Sequence, residues 1–292
     1  MTGYIHVNGE LQARDSVHVS ALDRGFRYGD AIFETVRVYG TEPYAWDRHL
    51  DRLAASADAL AMDHGVTRPD LRERVDETLE ANDLREAYLR ISISRGVQPG
   101  TLAPVEPVEP TVIIQTEPLP RGGVDGRPVW DGPATCTIAE TRQIPNTAIP
   151  AHIKTHNYLN GILAIIEART AGVDQPLLLD EDGYLTEAAT ANLFVVVDDV
   201  LYTPPVDELP VLPGITREDV ITLASAADIQ IEEERFTPTI LDRADEVFLT
   251  NSTWEVRPVS RIDDCTYDTR EVTETIARRY SERVERQCYD VR

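Results

Sequence analysis

The sequence predicts a two-domain protein of mixed α+β and α/β type, and three observations carry that expectation. Helical and strand-like periodicities alternate along all 292 residues. A Pro- and Gly-rich stretch, EPLPRGGVDGRPVWDGP at 117–133, loses periodicity and separates two halves that are each rich in elements. The third is a 42% hydrophobic content, enough to build cores in a chain of this length. The domains are expected at 1–120 (small, α+β) and 134–292 (larger), joined by a loop at 121–133.

The elements follow in order. Residues 4–12 read as a hairpin around Asn8-Gly9, a dipeptide that tolerates the positive φ angles of a tight turn. Leu50, Leu53, Ala57 and Leu60 recur at helical spacing over 46–62, and Leu71, Val75 and Leu79 do so behind a Thr67 cap. Alternation over 87–94 puts Leu89, Ile91 and Ile93 on one strand face and Tyr88, Arg90, Ser92 and Ser94 on the other. A strand at 111–116 follows, and Pro104 to Pro110 is a low-complexity tract. Beyond the junction the pattern gives a helix at 157–170, strands at 177–179, 184–187 and 192–197, a helix after Gly214, a strand at 247–250 and a closing amphipathic helix at 268–287.

The charge balance excludes some function classes. With 51 acidic against 28 basic residues, the net charge of -23 repels nucleic acid and anionic lipid. Only one of those 28 is lysine, Lys154, which leaves 27 arginines. An acid-rich surface almost emptied of lysine fits a protein kept soluble in a salty cytoplasm. Cys136, Cys265 and Cys288 are odd in number and widely spaced, which points to a reducing compartment and implies no metal site. The N-terminus has no basic start or apolar stretch, and no run is long enough to cross a membrane, so a cytoplasmic location is expected.

Lysine condenses with an aldehyde to a Schiff base, whereas arginine stays protonated and cannot serve as that nucleophile. A lineage replacing lysine by arginine must stop where that chemistry is needed; the alternative is that Lys154 is an incidental surface residue. Its neighbours favour the first reading. The run HIKTHNYLNGILA sets Lys154 directly before a helix whose Tyr158, Ile162 and Ile165 are expected to form a buried stripe. His152 and His156 flank the lysine but lack a third ligand, and are read as scaffolding.

Lys154 with Asn157-Tyr158-Leu159, then LTEAATANLF at 185–194, then LPGITR at 212–217, resembles in order and spacing the fold-type IV (class IV) pyridoxal-phosphate enzymes. That family holds branched-chain aminotransferases, D-amino acid aminotransferases, amine transaminases and aminodeoxychorismate lyases. The resemblance runs from Asp23-Arg24-Gly25 to Pro258-Val259. It implies a D-amino acid aminotransferase-like fold, with a small N-terminal α+β domain, a larger C-terminal domain with a barrel-like β core, and the cofactor in the cleft between them. It also implies pyridoxal 5'-phosphate on Lys154, which then moves the proton between Cα and the cofactor. Glu187 matches the carboxylate at the pyridine nitrogen, Tyr158 a partner of the ring's phenolic oxygen, and Arg52, Ile215, Thr216 and Ser252 the phosphate donors. The blander alternatives are a strand-end carboxylate for Glu187 and a solvated helix arginine for Arg52.

Tyr88 and Arg90 lie two apart on one strand face and resemble the carboxylate site of branched-chain aminotransferases; a solvated edge-strand arginine is the alternative. Thr35 and Arg37 in FETVR, and Thr253, complete the expected substrate residues. The reaction implied is transamination between an amino acid, with a branched-chain or similar L-substrate favoured, and a 2-oxo acid. Thr35 and the wording TEAATANLF keep 4-amino-4-deoxychorismate lyase, giving 4-aminobenzoate and pyruvate, as the alternative. A D-amino acid or (R)-amine transaminase, or a silent cofactor-binding protein on the same fold, stands behind it. The resemblance further implies a homodimer.

Overall fold

The computed structural model describes residues 3–121 and 129–289. Residues 122–128 of the expected junction lie outside the described residues. Packing separates the chain into two units. Residues 3–121 with Ile153–Asn157 and 287–289 form the first; Val129–His152 and Tyr158–Arg286 form the second. This partition is finer than a single cut at 121–133, because a five-residue strap from the middle of the chain packs with the first unit.

The first unit runs β1 (Tyr4–Val7), β2 (Glu10–Ala13), α1 (Arg24–Tyr28), β3 (Ala31–Tyr39), β4 (Glu42–Pro43), α2 (Trp46–Ala59), α3 (Arg68–Ala81), β5 (Ala87–Ser94) and β6 (Thr111–Pro118). Its six strands form an antiparallel sheet in the order β2-β1-β6-β5-β3-β4. Asn8 (φ 52°) and Gly9 (φ 96°) make the first turn, as their sequence predicts. Ile32, Val36, Leu89, Ile91, Ile93 and Ile114 are buried against Leu50, Leu53, Leu71, Val75 and Leu79 of α2 and α3, so one sheet face is core. The Thr67 hydroxyl caps α3 by accepting from the Asp70 N–H at 3.3 Å. The other sheet face is where the polar residues at alternate positions of β3 and β5 project.

The second unit runs β7 (Ala134–Ile138), α4 (Leu159–Thr170), β8 (Gln175–Leu179), β9 (Leu185–Ala188), β10 (Asn192–Val197), β11 (Val200–Thr203), α5 (Ile215–Ser225), β12 (Ile231–Glu233), β13 (Glu246–Asn251), β14 (Glu255–Ile262), β15 (Cys265–Thr266) and α6 (Glu271–Val284). The strand path is β12-β11-β10-β13-β14-β7-β8-β9, and β9 also pairs with β10. That last pairing closes β10, β13, β14, β7, β8 and β9 into a ring, the barrel-like core the resemblance implies. Leu177, Leu185, Leu193, Val195, Val247, Leu249 and Val259 fill it.

One expectation is overturned. Tyr158, Ile162 and Ile165 do not form a buried stripe on α4: Ile162 is 54% exposed, and the helix buries Gly161, Ala164 and Ala168 instead. Small residues allow α4 to sit close on the neighbouring strand, with Ala164 packed against Ala139 and Leu178. Leu159, Ile162, Leu163 and Ile166, at helical spacing, are left outside.

Candidate active site

Lys154 sits on the strap, and backbone pairing fixes it within the first unit. The Phe33 N–H donates to the Lys154 carbonyl at 3.0 Å, and the His156 N–H donates to the Ala31 carbonyl at 3.0 Å. The Lys154 N–H donates to the Ser56 hydroxyl on α2 at 3.1 Å. Asn157 anchors the strap's end by donating from Nδ2 to the Gly29 carbonyl at 3.2 Å. Gly29 has φ 69°, and a Cβ there would lie 2.6 Å from Asn157 Oδ1, so this anchor needs glycine on both counts. The Lys154 Nζ lies 4.5 Å from the centroid of the Phe33 ring.

Beneath the strap, Glu34 points to the core face of β3 and is fully buried. Arg52 embraces it, donating from Nε to Oε1 and from Nη2 to Oε2, each at 2.7 Å, and His49 Nδ1 meets Oε2 at 2.7 Å. Burial pushes the Glu34 carboxyl up, but the Arg52 charge and hydrogen bonds, with the His49 bond, outweigh it and hold it at about 2. Burial lowers His49 below its ordinary value, against the pull of Glu34, so the ring is neutral and donates. Arg52 is therefore not a solvated helix arginine; its side chain is 9% exposed.

On the opposite sheet face Thr35 lies directly across from Arg90, and Arg37 directly across from Tyr88. Four of the five expected substrate residues thus share one face, continued on β6 by Gln115 opposite Arg90 and Glu117 opposite Tyr88, whereas Thr253 lies in the second unit. The strand carrying Arg90 is central, between β6 and β3, not an edge. The Arg90 guanidinium stacks on Phe33 with Cζ 3.8 Å from the ring centroid and donates from Nε to the Ser92 hydroxyl at 3.1 Å. Among the described residues no carboxylate pairs with it, in a chain of net charge -23. The His156 ring meets Phe33 edge-on at 5.6 Å, and burial, then the Arg90 charge, lower its pKa to about 4.

In the second unit Glu187 is held by amides. Oε1 accepts from Gln143 Nε2 at 3.1 Å and from the Leu212 N–H at 3.3 Å, and Oε2 accepts from Asn192 Nδ2 at 2.9 Å. Gln143 is itself oriented by Asn160 Nδ2 at 2.8 Å, two residues beyond Tyr158, the N-cap of α4. Asn192 links Glu187 to the next two features. A Cβ on Gly214, the N-cap of α5, would lie 2.0 Å from Asn192 Oδ1, so glycine is required for this approach. Thr250 on β13 lies directly opposite Asn192, is 1% exposed, and its Oγ1 has no hydrogen-bond partner among the described residues. Ile215 and Thr216 open α5 as buried residues. Ser252 and Thr253 lie just beyond, in a turn ordered by Asn251 Oδ1, which accepts from Thr253 N–H, its hydroxyl and the Trp254 N–H.

Residues 31–262 match the family model described as amino-transferase class IV. The chain belongs to that family. A Methanocaldococcus jannaschii protein provisionally named branched-chain-amino-acid aminotransferase is 37% identical over 270 residues, 92% of this chain and 91% of its own. The D-alanine aminotransferase of Bacillus licheniformis is 30% identical over 256 residues, 88% of this chain and 87% of its own. Among solved structures, the branched-chain aminotransferase of the thermophilic archaeon Thermoproteus uzoniensis with norvaline matches with a TM-score of 0.90 at 27% identity, covering 99% of this chain and 97% of that one.

In this class IV aminotransferase, the sequence singled out Lys154, Arg52 and Glu187 as expected site residues but not the side chains that contact them. Glu34 and His49 carried a usable signal: a carboxylate on the apolar face of a strand must find a cation, and His49 and Arg52 are three apart on one helix face. Gln143 and Asn160 carried none, because their meeting with Glu187 is purely tertiary.

Proposed function

We propose that this aminotransferase uses pyridoxal 5'-phosphate to move an amino group between an amino acid, branched-chain or similar L-substrates favoured, and a 2-oxo acid. The residues present fit the cofactor: one lysine amine, a carboxylate steadied by amides, a helix N-terminus with a buried Thr216, and a Thr250 hydroxyl without a partner among the described residues. When bound, the cofactor supplies an aldehyde for the amino group and a ring that draws electrons from the substrate Cα. Lys154 is assigned the covalent link and the proton transfer at Cα. With the cofactor bound, Glu187 would keep a proton on the ring nitrogen, Tyr158 would bond the phenolic oxygen, and Arg52, Ile215, Thr216 and Ser252 would hold the phosphate. Thr35, Arg37, Tyr88, Arg90 and Thr253 are assigned to the substrate.

The observation that carries the reading is the Arg90 guanidinium, free of any carboxylate partner among the described residues and stacked on the ring that also contacts Lys154. An unpaired guanidinium on that face calls for an anionic ligand. The test is to add single amino donors, without a keto acid, and follow the visible absorption of the bound cofactor. L-leucine, L-valine or L-glutamate should bleach it, and D-alanine should not. Thr35, directly across from Arg90, favours a second reading as a lyase. Release of pyruvate from aminodeoxychorismate, with no bleaching by amino acids, would establish that reading instead.

A homodimer is supported by the apolar ridge of Leu159, Ile162, Leu163 and Ile166, which a second copy would cover. A monomeric mass by light scattering in concentrated salt would count against it. The three cysteines are unpaired, and no described helix is long and apolar enough to cross a membrane.

A further inference from the structure

Three nitrogen-bearing side chains gather round one ring in the first unit. Arg90 Cζ lies 3.8 Å and Lys154 Nζ 4.5 Å from the Phe33 centroid, and the His156 ring sits edge-on at 5.6 Å. Lys154 has its covalent role and Arg90 its carboxylate, but His156 has no assigned part. Its Nε2 is buried and has no hydrogen-bond partner among the described residues. Buried polar atoms are nearly always paired, because leaving one unbonded forfeits its hydration without return. The backbone cannot relieve this by moving, since the His156 N–H is committed to the Ala31 carbonyl. The Arg90 charge acts on the ring, and that guanidinium itself has no acidic partner among the described residues. A cation beside a neutral imidazole N–H is the donor set that suits a carboxylate, the one supplying charge and the other a directed hydrogen bond.

We propose that His156 is a substrate-binding residue whose Nε2 donates a hydrogen bond to the carboxylate paired with Arg90. The inference rests on the aminotransferase reading above and deepens it: the clamp has two arms, one from the central strand β5 and one from the strap that carries Lys154. Because both arms lie within two residues of the reacting lysine or on its contacting ring, a substrate carboxylate docked there is registered against the amine.

The test uses the holoenzyme, with glutarate and 4-methylpentanoate titrated while the cofactor absorption is recorded, and 4-methylpentanamide as the uncharged control. His156→Phe keeps an aromatic ring against Phe33 and deletes the donor. Binding of the acids should weaken about tenfold, as expected for losing a hydrogen bond to a charged group, with amide binding unchanged. His156→Gln, which restores an N–H at similar reach, should recover most of the loss, and His156→Asn, too short to reach, repeats the measurement should the Phe variant not fold. If His156→Phe binds both acids like the wild type while Arg90→Leu loses them, the second arm is overturned and the Arg90 site stands. Unchanged binding in Arg90→Leu overturns the clamp altogether. Equal losses for acids and amide would make His156 a packing residue and overturn the proposal too.

Discussion

The first unit answers its buried carboxylate with charge, whereas the second holds its carboxylate with amides. Glu34 is met by the Arg52 guanidinium and a neutral histidine; Glu187 receives Gln143, Asn192 and a backbone N–H. An ion pair fixes the positions of both its members. Amide donors fix a carboxylate just as firmly without a charge of their own. The difference sets a buried ion pair in one unit against a hydrogen-bonded carboxylate in the other, and substitutions at each test whether the proposed division between scaffold and chemistry holds.

The largest effect is expected at the amine itself. Lys154→Ala should lower the half-reaction rate by more than about a thousandfold, as for loss of a covalent and acid–base group, with the thermal midpoint little changed. Retained activity would end the reading of the first unit as the reacting one. Next comes Glu34→Ala, which takes the buried carboxylate from the Arg52 guanidinium and the His49 ring and should cost about 3–5 kcal/mol of stability by denaturant titration.

Acid should reveal the same pair without mutation. The Glu34 carboxyl is held at about 2 from an ordinary 4.5. The unfolded chain therefore takes up that proton first as pH falls. The stability it lends is complete above about pH 5 and is lost between there and about pH 2, roughly 3 kcal/mol in all. His49, held neutral by burial, adds a loss of the same sign below its ordinary value of 6.5. Denaturant midpoints of wild type and Glu34→Gln from pH 7 to pH 2 should converge as acidity rises. The smallest change sharpens the other side: Glu187→Gln should slow transamination by about a hundredfold, in the range of a single electrostatic group, while shifting stability by less than about 1 kcal/mol. A stability loss as large as that of Glu34→Ala would erase the distinction.

What the sequence made legible follows the same division. Alternation over 87–94 put Tyr88 and Arg90 on one face, and the register of β3 against β5 then set Thr35 and Arg37 beside them. The α4 stripe misled because apolar residues at helical spacing mark a covered face without saying what covers it: Ile162 lies outside, and the helix packs through Gly161, Ala164 and Ala168. Gln143 and Asn160 were illegible, since polar side chains in irregular segments meet Glu187 only once the barrel closes. The short strands β11, β12 and β15 were missed for want of enough residues to show a period.

The strap at Ile153–Asn157 gives the chain an order of assembly. Until those residues are made and docked, Phe33 N–H and the Ala31 carbonyl have no partners from the strap, and the first unit lacks its one amine. The contact from Lys154 to Ser56 spans 98 residues, so that unit closes late, after the ribosome has passed the first strand of its neighbour. A fragment ending at 120 would be unfinished as well as inactive.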